Sequence, residues 1–341
     1  MSGGVDSSVS AALLKQAGYD VTGVFIKVWH PDFLACNWRE ERLDAMRVCA
    51  VLNIPFMFLD LEDAYKKGVA DYMIAEYQAG RTPNPDVMCN KTVKFGAFYD
   101  KARELGADFV ATGHYAQVRD GHLFSATDKQ KDQSYFLWTL KKEQLEHILF
   151  PIGHLEKKDV RDIARKFCLP VAEKKDSQGL CFVGKVDLEE FLSHFTEQKP
   201  GDVLDQSGKK IGTHNGSFFY TIGERHGFTL SEKTPNDRPF YIVAKNHEAN
   251  TITVSHRNSE KKDEKAEKST VVLENIGWVG SAPRSGVSYL ARIRYRQPLQ
   301  ACTFENDTVT FDASQDAVTP GQSLVLYDAR GEECLGGGVI S

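Results

Sequence analysis

A glycine-rich turn that runs directly into a helix constrains this chain more than any other part of its sequence. Residues 2–8 read S-G-G-V-D-S-S, and the two glycines permit backbone angles that are closed to other residues. Successive N–H groups of such a turn converge on one anion, and the dipole of the following helix favours negative charge there. The pattern predicts a phosphate-binding loop, whose residues are Ser2, Gly3, Gly4, Val5, Asp6 and Ser7.

The loop is not of the Walker type, because G-x-x-x-x-G-K-[ST] and its lysine are missing. Ser7 can supply a hydroxyl to a phosphate, and Asp6 can either cap the helix or hold a magnesium ion. A lone S-G-G turn in front of a capped helix would not by itself indicate a ligand. Here an α/β series follows the loop, and this favours phosphate binding.

The first half of the chain alternates between two patterns. Helical spacing of apolar residues over 8–17, 40–52, 63–78 and 93–105 alternates with strand-like runs over 21–28, 55–59 and 108–112. Such alternation predicts an α/β domain with a doubly wound parallel sheet. One more helix is expected over 186–195, after which short strands and glycine turns dominate. We expect three domains: 1–197, a small β-rich central domain at 198–260, and a C-terminal β-barrel at 268–341.

Composition limits the class of protein. The 341 residues are 41% hydrophobic and 26% charged, which is ordinary for a soluble globular protein. Neither a run of about 20 apolar residues nor a signal peptide is apparent, so we expect a cytoplasmic protein with no membrane partner. The net charge of −5 argues against nonspecific coating of nucleic acid but leaves room for a local basic groove. The seven cysteines form no C-x-x-C pair, so no metal site is expected.

Two of these cysteines lie in distinctive segments. Residues 81–91, R-T-P-N-P-D-V-M-C-N-K, predict a stiff, non-helical loop that presents Asp86 and Cys89 together. Lys91 and Lys94 nearby favour a thiolate. Cys181 lies in D-S-Q-G-L-C-F-V-G at 176–184, and local sequence leaves open whether it is reactive or merely packed. Sulfur transfer uses two thiols, one to carry a persulfide and one to resolve it.

Several long motifs in order resemble the tRNA-specific 2-thiouridylase family, within the N-type ATP pyrophosphatase superfamily. They are the phosphate loop, the 81–91 segment, A-T-G-H-Y at 111–115, K-D-Q-S-Y-F-L at 131–137, D-S-x-G-L-C-F at 176–182, V-T-P-G-Q at 318–322 and C-L-G-G-G at 334–338. The resemblance covers essentially the whole chain. That family places an apolar strand just before the loop, whereas this sequence begins at the loop, so we expect a late start or a truncated chain.

The resemblance implies a mechanism. ATP with Mg²⁺ would adenylate O2 of wobble uridine 34, with Ile26 and Gly113 near the nucleotide, and no tightly bound cofactor is expected. Cys181 would carry the persulfide whose terminal sulfur reaches C2 of the base. Cys89 would act as the nucleophile that helps to release it, leaving a Cys89–Cys181 disulfide. Asp86 would move a proton, or would merely cap the helix that follows.

The resemblance also implies partners. These are the tRNAs for Lys, Glu and Gln, together with a persulfide donor such as a cysteine desulfurase or a sulfur-relay protein. The positions that would contact tRNA are Asn84, Pro85, Asp86, Lys131, Asp132, Gln133, Arg294 and Tyr295. From the residues alone, 292–297 predicts a strand with three arginines on one face, which equally fits a solvated barrel strand.

Two alternatives to tRNA thiolation stay open at this point. One keeps adenylation but changes the nucleophile, as in amidation or ligation. The two cysteines in distinctive segments and the additional domains expected to bind RNA count against it. The other is a non-catalytic RNA-binding protein. Cysteine-to-serine variants would discriminate among them.

Overall fold

The first domain alternates helices with short parallel strands, as predicted. The computed structural model describes residues 1–34, 37–175, 188–231, 238–256 and 269–341. The α-helices are α1 (Val5–Gln16), α2 (Trp38–Leu52), α3 (Glu62–Tyr65), α4 (Tyr72–Gln78), α5 (Pro85–Met88), α6 (Phe98–Glu104), α7 (Lys142–Leu145), α8 (Lys157–Lys166) and α9 (Leu188–Ser193). Wider π-helical stretches join α3 to α4 at Lys66–Asp71 and α5 to α6 at Cys89–Ala97. The strands of this domain are β1 (Gly23–Lys27), β2 (Phe56–Asp60), β3 (Val110–Ala111), β4 (Ala116–Arg119), β5 (His122–Ser125) and β6 (Ile148–Leu149).

The parallel strands form two separate pairs. β1 pairs with β2 from Gly23 opposite Phe56, and β3 pairs with β6 from Val110 opposite Ile148. Among the described residues no strand hydrogen-bonds to both pairs, so the doubly wound sheet is not continuous there. No described helix is long and apolar enough to span a bilayer.

One apolar core holds the helix that follows the phosphate loop. α1 buries Val5, Val9 and Ala12 against Val48 of α2 and Val160 of α8. Burying each of these valine side chains contributes roughly 1.5–3 kcal/mol. The N-terminus of α1 is therefore fixed by packing against two helices, α2 and α8, from other parts of the chain.

The central domain is a five-stranded sheet. Its strands are β7 (Gly201–Leu204), β8 (Lys210–His214), β9 (Thr229–Leu230), β10 (Phe240–Asn246) and β11 (Thr251–His256), in the spatial order β10-β11-β7-β8-β9. β11 and β7 are parallel, and the other neighbours are antiparallel.

The C-terminal domain closes into a six-stranded barrel, as predicted. Its strands are β12 (Ser269–Trp278), β13 (Ser288–Arg292), β14 (Gln300–Glu305), β15 (Thr308–Phe311), β16 (Ser323–Tyr327) and β17 (Glu333–Ile340), and pairing of β12 with β17 completes the circle. β17 also pairs with β5, with Cys334 opposite Leu123. The β4–β5 hairpin of the first domain thus adds two strands to the barrel sheet, beside β17.

All three domains meet at the helical segment between Pro85 and Glu104. Cys89 and Val93 belong to the apolar core that the first domain shares with the central domain. Val87 and Phe95 belong to a second core, shared with the barrel. The segment that carries the candidate thiol is therefore buried on two sides by different domains.

Candidate active site

The phosphate loop has the geometry that its glycines predict. Gly3 has φ +71°, and a Cβ there would lie 2.5 Å from the carbonyl oxygen of Glu41, so only glycine fits. Gly4 is the N-cap of α1 without a side-chain cap, which leaves the first N–H groups of the helix to a ligand or to water. The hydroxyls of Ser2 and Ser7 lie 3.1 Å apart beside this turn. The loop is thus a concave set of donors at a helix N-terminus.

Gly113, expected near the nucleotide, lies against this loop. A Cβ on Gly113 would lie 2.7 Å from the backbone nitrogen of Ser7 and 2.8 Å from the carbonyl carbon of Asp6. Any side chain there would push the loop away. Ile26, the other residue expected near the nucleotide, lies half-buried in β1 and packs against the core that contains Cys89.

The Asp6 carboxylate has partners that sequence reasoning missed. Lys157 Nζ lies 2.7 and 2.9 Å from its two oxygens, and the hydroxyl of Tyr115 donates to it at 2.9 Å. On the other side of the loop, Lys174 donates to the Gly3 carbonyl at 3.1 Å and to Asp44 at 2.9 Å. Tyr115 belongs to the A-T-G-H-Y motif, but nothing near either lysine in the sequence marks it as part of the loop.

The segment with Cys89 is more helical than predicted. Residues 81–84 form no regular secondary structure, but Asn84 caps a helix that begins at Pro85, and its Oδ1 accepts a hydrogen bond from the Val87 amide at 3.3 Å. Cys89 opens the π-helical stretch and is only 5% exposed. The prediction of a non-helical loop was therefore wrong beyond Asn84. A proline is favoured in the first turn of a helix, and here it starts one.

Asp86, Lys94 and His114 form a polar cluster one turn from Cys89. Asp86 reaches solvent, yet surrounding protein atoms reduce the hydration of its carboxyl and raise its pKa, while the ammonium of Lys94 opposes the rise. His114 is buried, and both burial and Lys94 hold its pKa well below 6.5, so the ring is neutral at neutral pH.

The hydrogen bonds of His114 define its tautomer. Its Nε2 lies 3.5 Å from Lys94 Nζ, and its Nδ1 lies 2.8 Å from the hydroxyl of Thr112. An ammonium only donates, so Nε2 accepts and Nδ1 carries the proton. Because Gly113 touches the phosphate loop, His114 and Lys94 link that loop to the helix of Asp86 and Cys89.

Cys181 lies outside the described residues, as does the rest of the D-S-x-G-L-C-F segment. Its role and its pairing with Cys89 stay predictions.

The residues expected to contact tRNA differ in accessibility. Asp132 is buried and forms an ion pair of 2.6 Å with Arg292, and it accepts further hydrogen bonds from the amides of Ala126 and Ser134. The side chain of Gln133 accepts from the Tyr115 amide at 2.9 Å. Lys131 is half-buried beside them. In this conformation, then, Asp132 and Gln133 support the fold.

The predicted strand over 292–297 is wrong. β13 ends at Arg292, and a turn follows in which Arg296 has φ +63°. The three arginines consequently diverge: Arg292 is buried, Arg294 donates to the carbonyls of Ile222 and Ala317 at 2.9 and 2.7 Å, and Arg296 is exposed. The ring of Tyr295, the other expected contact here, packs 4.6 Å from that of Phe136.

Family profiles cover most of the chain. The profile described as "tRNA methyl transferase HUP domain" matches residues 1–185, "tRNA methyl transferase PRC-barrel domain" matches 189–256, and "Aminomethyltransferase beta-barrel domain" matches 268–340. Together with the phosphate loop at the start of α1, these matches define a nucleotide-binding α/β protein of the HUP class with two β domains appended.

Full-length relatives narrow the class to one family. A curated protein of Nitrosomonas europaea named tRNA-specific 2-thiouridylase is 44% identical over 354 residues, covering 100% of this chain and 96% of the relative. Proteins of that name from Thiobacillus denitrificans and Stenotrophomonas maltophilia are 45% and 46% identical and are covered over 98% and 92% of their lengths. The chain belongs to the tRNA-specific 2-thiouridylase family.

Among solved structures, an NMN synthetase from Francisella tularensis is only remotely similar. It covers 52% of this chain and 63% of its own, at 18% identity and a TM-score of 0.33. The assignment therefore rests on the full-length relatives.

Proposed function

We propose that this chain, a tRNA sulfurtransferase by family, makes 2-thiouridine at wobble position 34 by adenylating O2 and then transferring persulfide sulfur. The profile descriptions mention methyl transfer, but the full-length relatives are named 2-thiouridylases. The observation that carries the proposal is the contact of Gly113 with the phosphate loop, continued by His114 and Lys94 to the helix of Asp86 and Cys89. This series of contacts connects the proposed phosphate-binding loop to the helical segment that carries the Cys89 thiol.

The first step uses ATP. O2 of the uridine attacks the α-phosphorus, the bond to the β-phosphate breaks, and pyrophosphate leaves. The residues proposed to hold the nucleotide are Ser2, Gly3, Gly4, Val5, Asp6, Ser7, Ile26 and Gly113. Mg²⁺, usually held by one or two carboxylates together with substrate phosphates, would neutralise phosphate charge. In the described part of the chain no three His, Cys, Asp or Glu side chains gather around a common point, so Asp6 would hold it together with the phosphates.

The second step moves sulfur. The terminal sulfur of a Cys181 persulfide bonds to C2, and AMP leaves with the former O2. The Cys89 thiolate then attacks the sulfur of Cys181, breaking the S–S bond to the base and leaving 2-thiouridine and a Cys89–Cys181 disulfide. An external thiol reductant reopens the disulfide. Asp86, whose pKa is raised by partial loss of hydration, is suited to exchange a proton during these steps.

We further propose that the tRNAs for Lys, Glu and Gln are the substrates and that a cysteine desulfurase or a relay protein supplies the persulfide. The wobble base must leave its stack to reach a thiol that is 5% exposed. Asn84 to Asp86 would lie beside it, with Lys131 to Gln133, Arg294 and Tyr295 holding the anticodon arm. For the buried Asp132, such contact would require the barrel interface to rearrange.

Serine variants of the two thiols test the proposal. We expect Cys89→Ser and Cys181→Ser each to abolish 2-thiouridine, measured by mass spectrometry of tRNA after incubation with ATP and a persulfide donor. Binding of tRNA should be retained because neither cysteine is among the residues proposed to contact tRNA. Cys168, which is exposed, offers a matched control whose serine variant should thiolate normally. Thiolation that survives in both serine variants would disprove the mechanism.

A further inference from the structure

A lysine from a distant helix reaches the phosphate loop. Lys157 is the first residue of α8 and stands 151 positions from Asp6, the second residue of α1. Its ammonium donates to both oxygens of the Asp6 carboxylate, at 2.7 and 2.9 Å, and its side chain is only 14% exposed. Packing of α8 against α1 in a common apolar core fixes this approach.

The loop itself carries no cation. Walker loops place a lysine next to their final glycine, where it reaches the phosphates of the nucleotide. Residues 2–8 contain no lysine or arginine and contain one acid, Asp6. A triphosphate bound there would face a carboxylate with its own negative charge, so a nearby cation is needed.

We propose that Lys157 is a phosphate-contacting residue of the ATP site, paired with Asp6 when nucleotide is absent and with the triphosphate when ATP is bound. The inference rests on the proposed function, that the loop binds ATP. When Mg²⁺ occupies the Asp6 carboxylate, the ammonium gains more from phosphate oxygens than from a carboxylate that is already neutralised. As pyrophosphate leaves, the same charge stabilises the negative charge that builds on the phosphate oxygens. Lys157 donates hydrogen bonds and transfers no proton.

Two contacts of Tyr115 make this exchange feasible. The hydroxyl of Tyr115 donates to Asp6 Oδ1 at 2.9 Å, so the carboxylate keeps its orientation when Lys157 turns away. The ammonium also lies 5.7 Å from the centre of the Tyr115 ring, which offers a cation a favourable face.

Lys174, the other lysine beside the loop, is placed differently. It donates to Asp44, which lies on α2, and to the carbonyl oxygen of Gly3. Its hydrogen bond is the largest influence lowering the pKa of Asp44. Lys174 therefore neutralises the charge of Asp44 on a neighbouring helix, whereas Lys157 neutralises the charge of Asp6 in the loop.

Binding of ATP and of adenosine separates a phosphate contact from a structural role. We expect Lys157→Gln, in the full chain with Mg²⁺, to bind ATP about 10- to 100-fold more weakly by calorimetry, the range for one charged hydrogen bond. Adenosine, which has no phosphate, should bind with unchanged affinity. Lys157→Arg keeps the charge and should recover part of the loss. Lys158→Gln, a change at the exposed neighbouring position, should bind ATP like the wild type.

The possible failures are distinguishable. Wild type that binds no ATP would overturn the proposed function together with this inference. If Lys157→Gln binds ATP as tightly as the wild type, the inference alone would be overturned. The same would follow if the variant lost affinity for ATP and for adenosine equally. Should Lys157→Gln fail to fold, acetylation of wild-type lysines decides the matter: ATP but not adenosine should protect Lys157, and unchanged modification of Lys157 would refute the contact.

Discussion

At the scale of single residues, the titration of His114 has a consequence that can be measured. Its ring is buried against Phe95 and Phe150 and lies beside Lys94, which explains why protonation is unfavourable in the folded chain. Such a neutral, oriented imidazole keeps the junction between the phosphate loop and the Asp86 helix in one arrangement.

We predict that His114 makes the protein sensitive to acid. The folded pKa lies below the unfolded value near 6.5, so below pH 6.5 the unfolded chain binds more protons and the free energy of unfolding falls as pH falls. One proton gives a slope of about 1.4 kcal/mol per pH unit, which ends at the lowered folded pKa. Urea unfolding at several pH values measures it.

The control for this prediction is a second histidine. His114→Gln should lose only the His114 part of the slope, because burial also lowers the pKa of His214 and His247. His154→Gln, a change of an exposed ring, should keep the wild-type slope. Equal pH dependence in the wild type and His114→Gln would show that His114 is protonated without cost in the folded chain.

At the scale of elements, the segment from Asn84 to Ala97 combines a capped helix with a π-helical stretch. π-helical turns are uncommon and frequently occur at functional sites. Here the wider turn carries Cys89 and Lys94, and the two faces of the segment meet different domains. The start of the helix therefore affects the position of the thiol.

We predict that Asn84→Ala lowers the free energy of unfolding by about 1 kcal/mol, the usual cost of losing an N-cap. Asn84→Asp keeps an acceptor for the Val87 amide and should retain stability. Chemical denaturation measures the first effect, and thiolation assays measure the second. If Asn84 only caps the helix, Asn84→Asp will thiolate normally; if it also contacts the target base, thiolation will fall although the fold is retained.

At the scale of the whole molecule, a buried ion pair joins the barrel to the first domain. Arg292 donates to Asp132 at 2.6 Å and to the hydroxyl of Tyr327 at 2.6 Å, and the side chains of the pair are 9% and 3% exposed. Loss of one partner would leave a charge buried without compensation, which is more costly than loss of the whole pair.

We predict that Arg292→Met destabilises the chain by about 3–5 kcal/mol and that adding Asp132→Asn recovers part of this. Lys101→Met, which removes an exposed ion pair to Glu104, should change stability by less than about 1 kcal/mol. Urea unfolding followed by circular dichroism compares the three. Similar losses for Arg292→Met and Lys101→Met would mean that water reaches the pair and screens it.

The sequence was informative wherever structure depends on neighbouring residues. Hydrophobic periodicity predicted α1, β1, α2 and β2 to within three residues at each end, because one buried face dictates each pattern. The glycines of the phosphate loop were equally informative about the backbone, since φ +71° at Gly3 disfavours other residues. The sequence pattern gave wrong predictions over 81–91 and 292–297. In the first segment, a proline that begins a helix cannot be told from one that prevents a helix. In the second, the strand ends although the alternation of side chains continues.

By itself, then, the sequence determined the glycine-rich turn before α1, the α/β series, the β-rich C-terminal half and the candidate thiol Cys89, because each is encoded by adjacent residues. Cys181 was singled out by the family resemblance. Only the tertiary structure decided that Gly113 touches the loop, that Lys157 neutralises Asp6, and that Arg292 is an interior cation rather than part of a basic face. These contacts join residues that are more than 100 positions apart, and local pattern carries no signal for them. They depend on which helices and strands share a core.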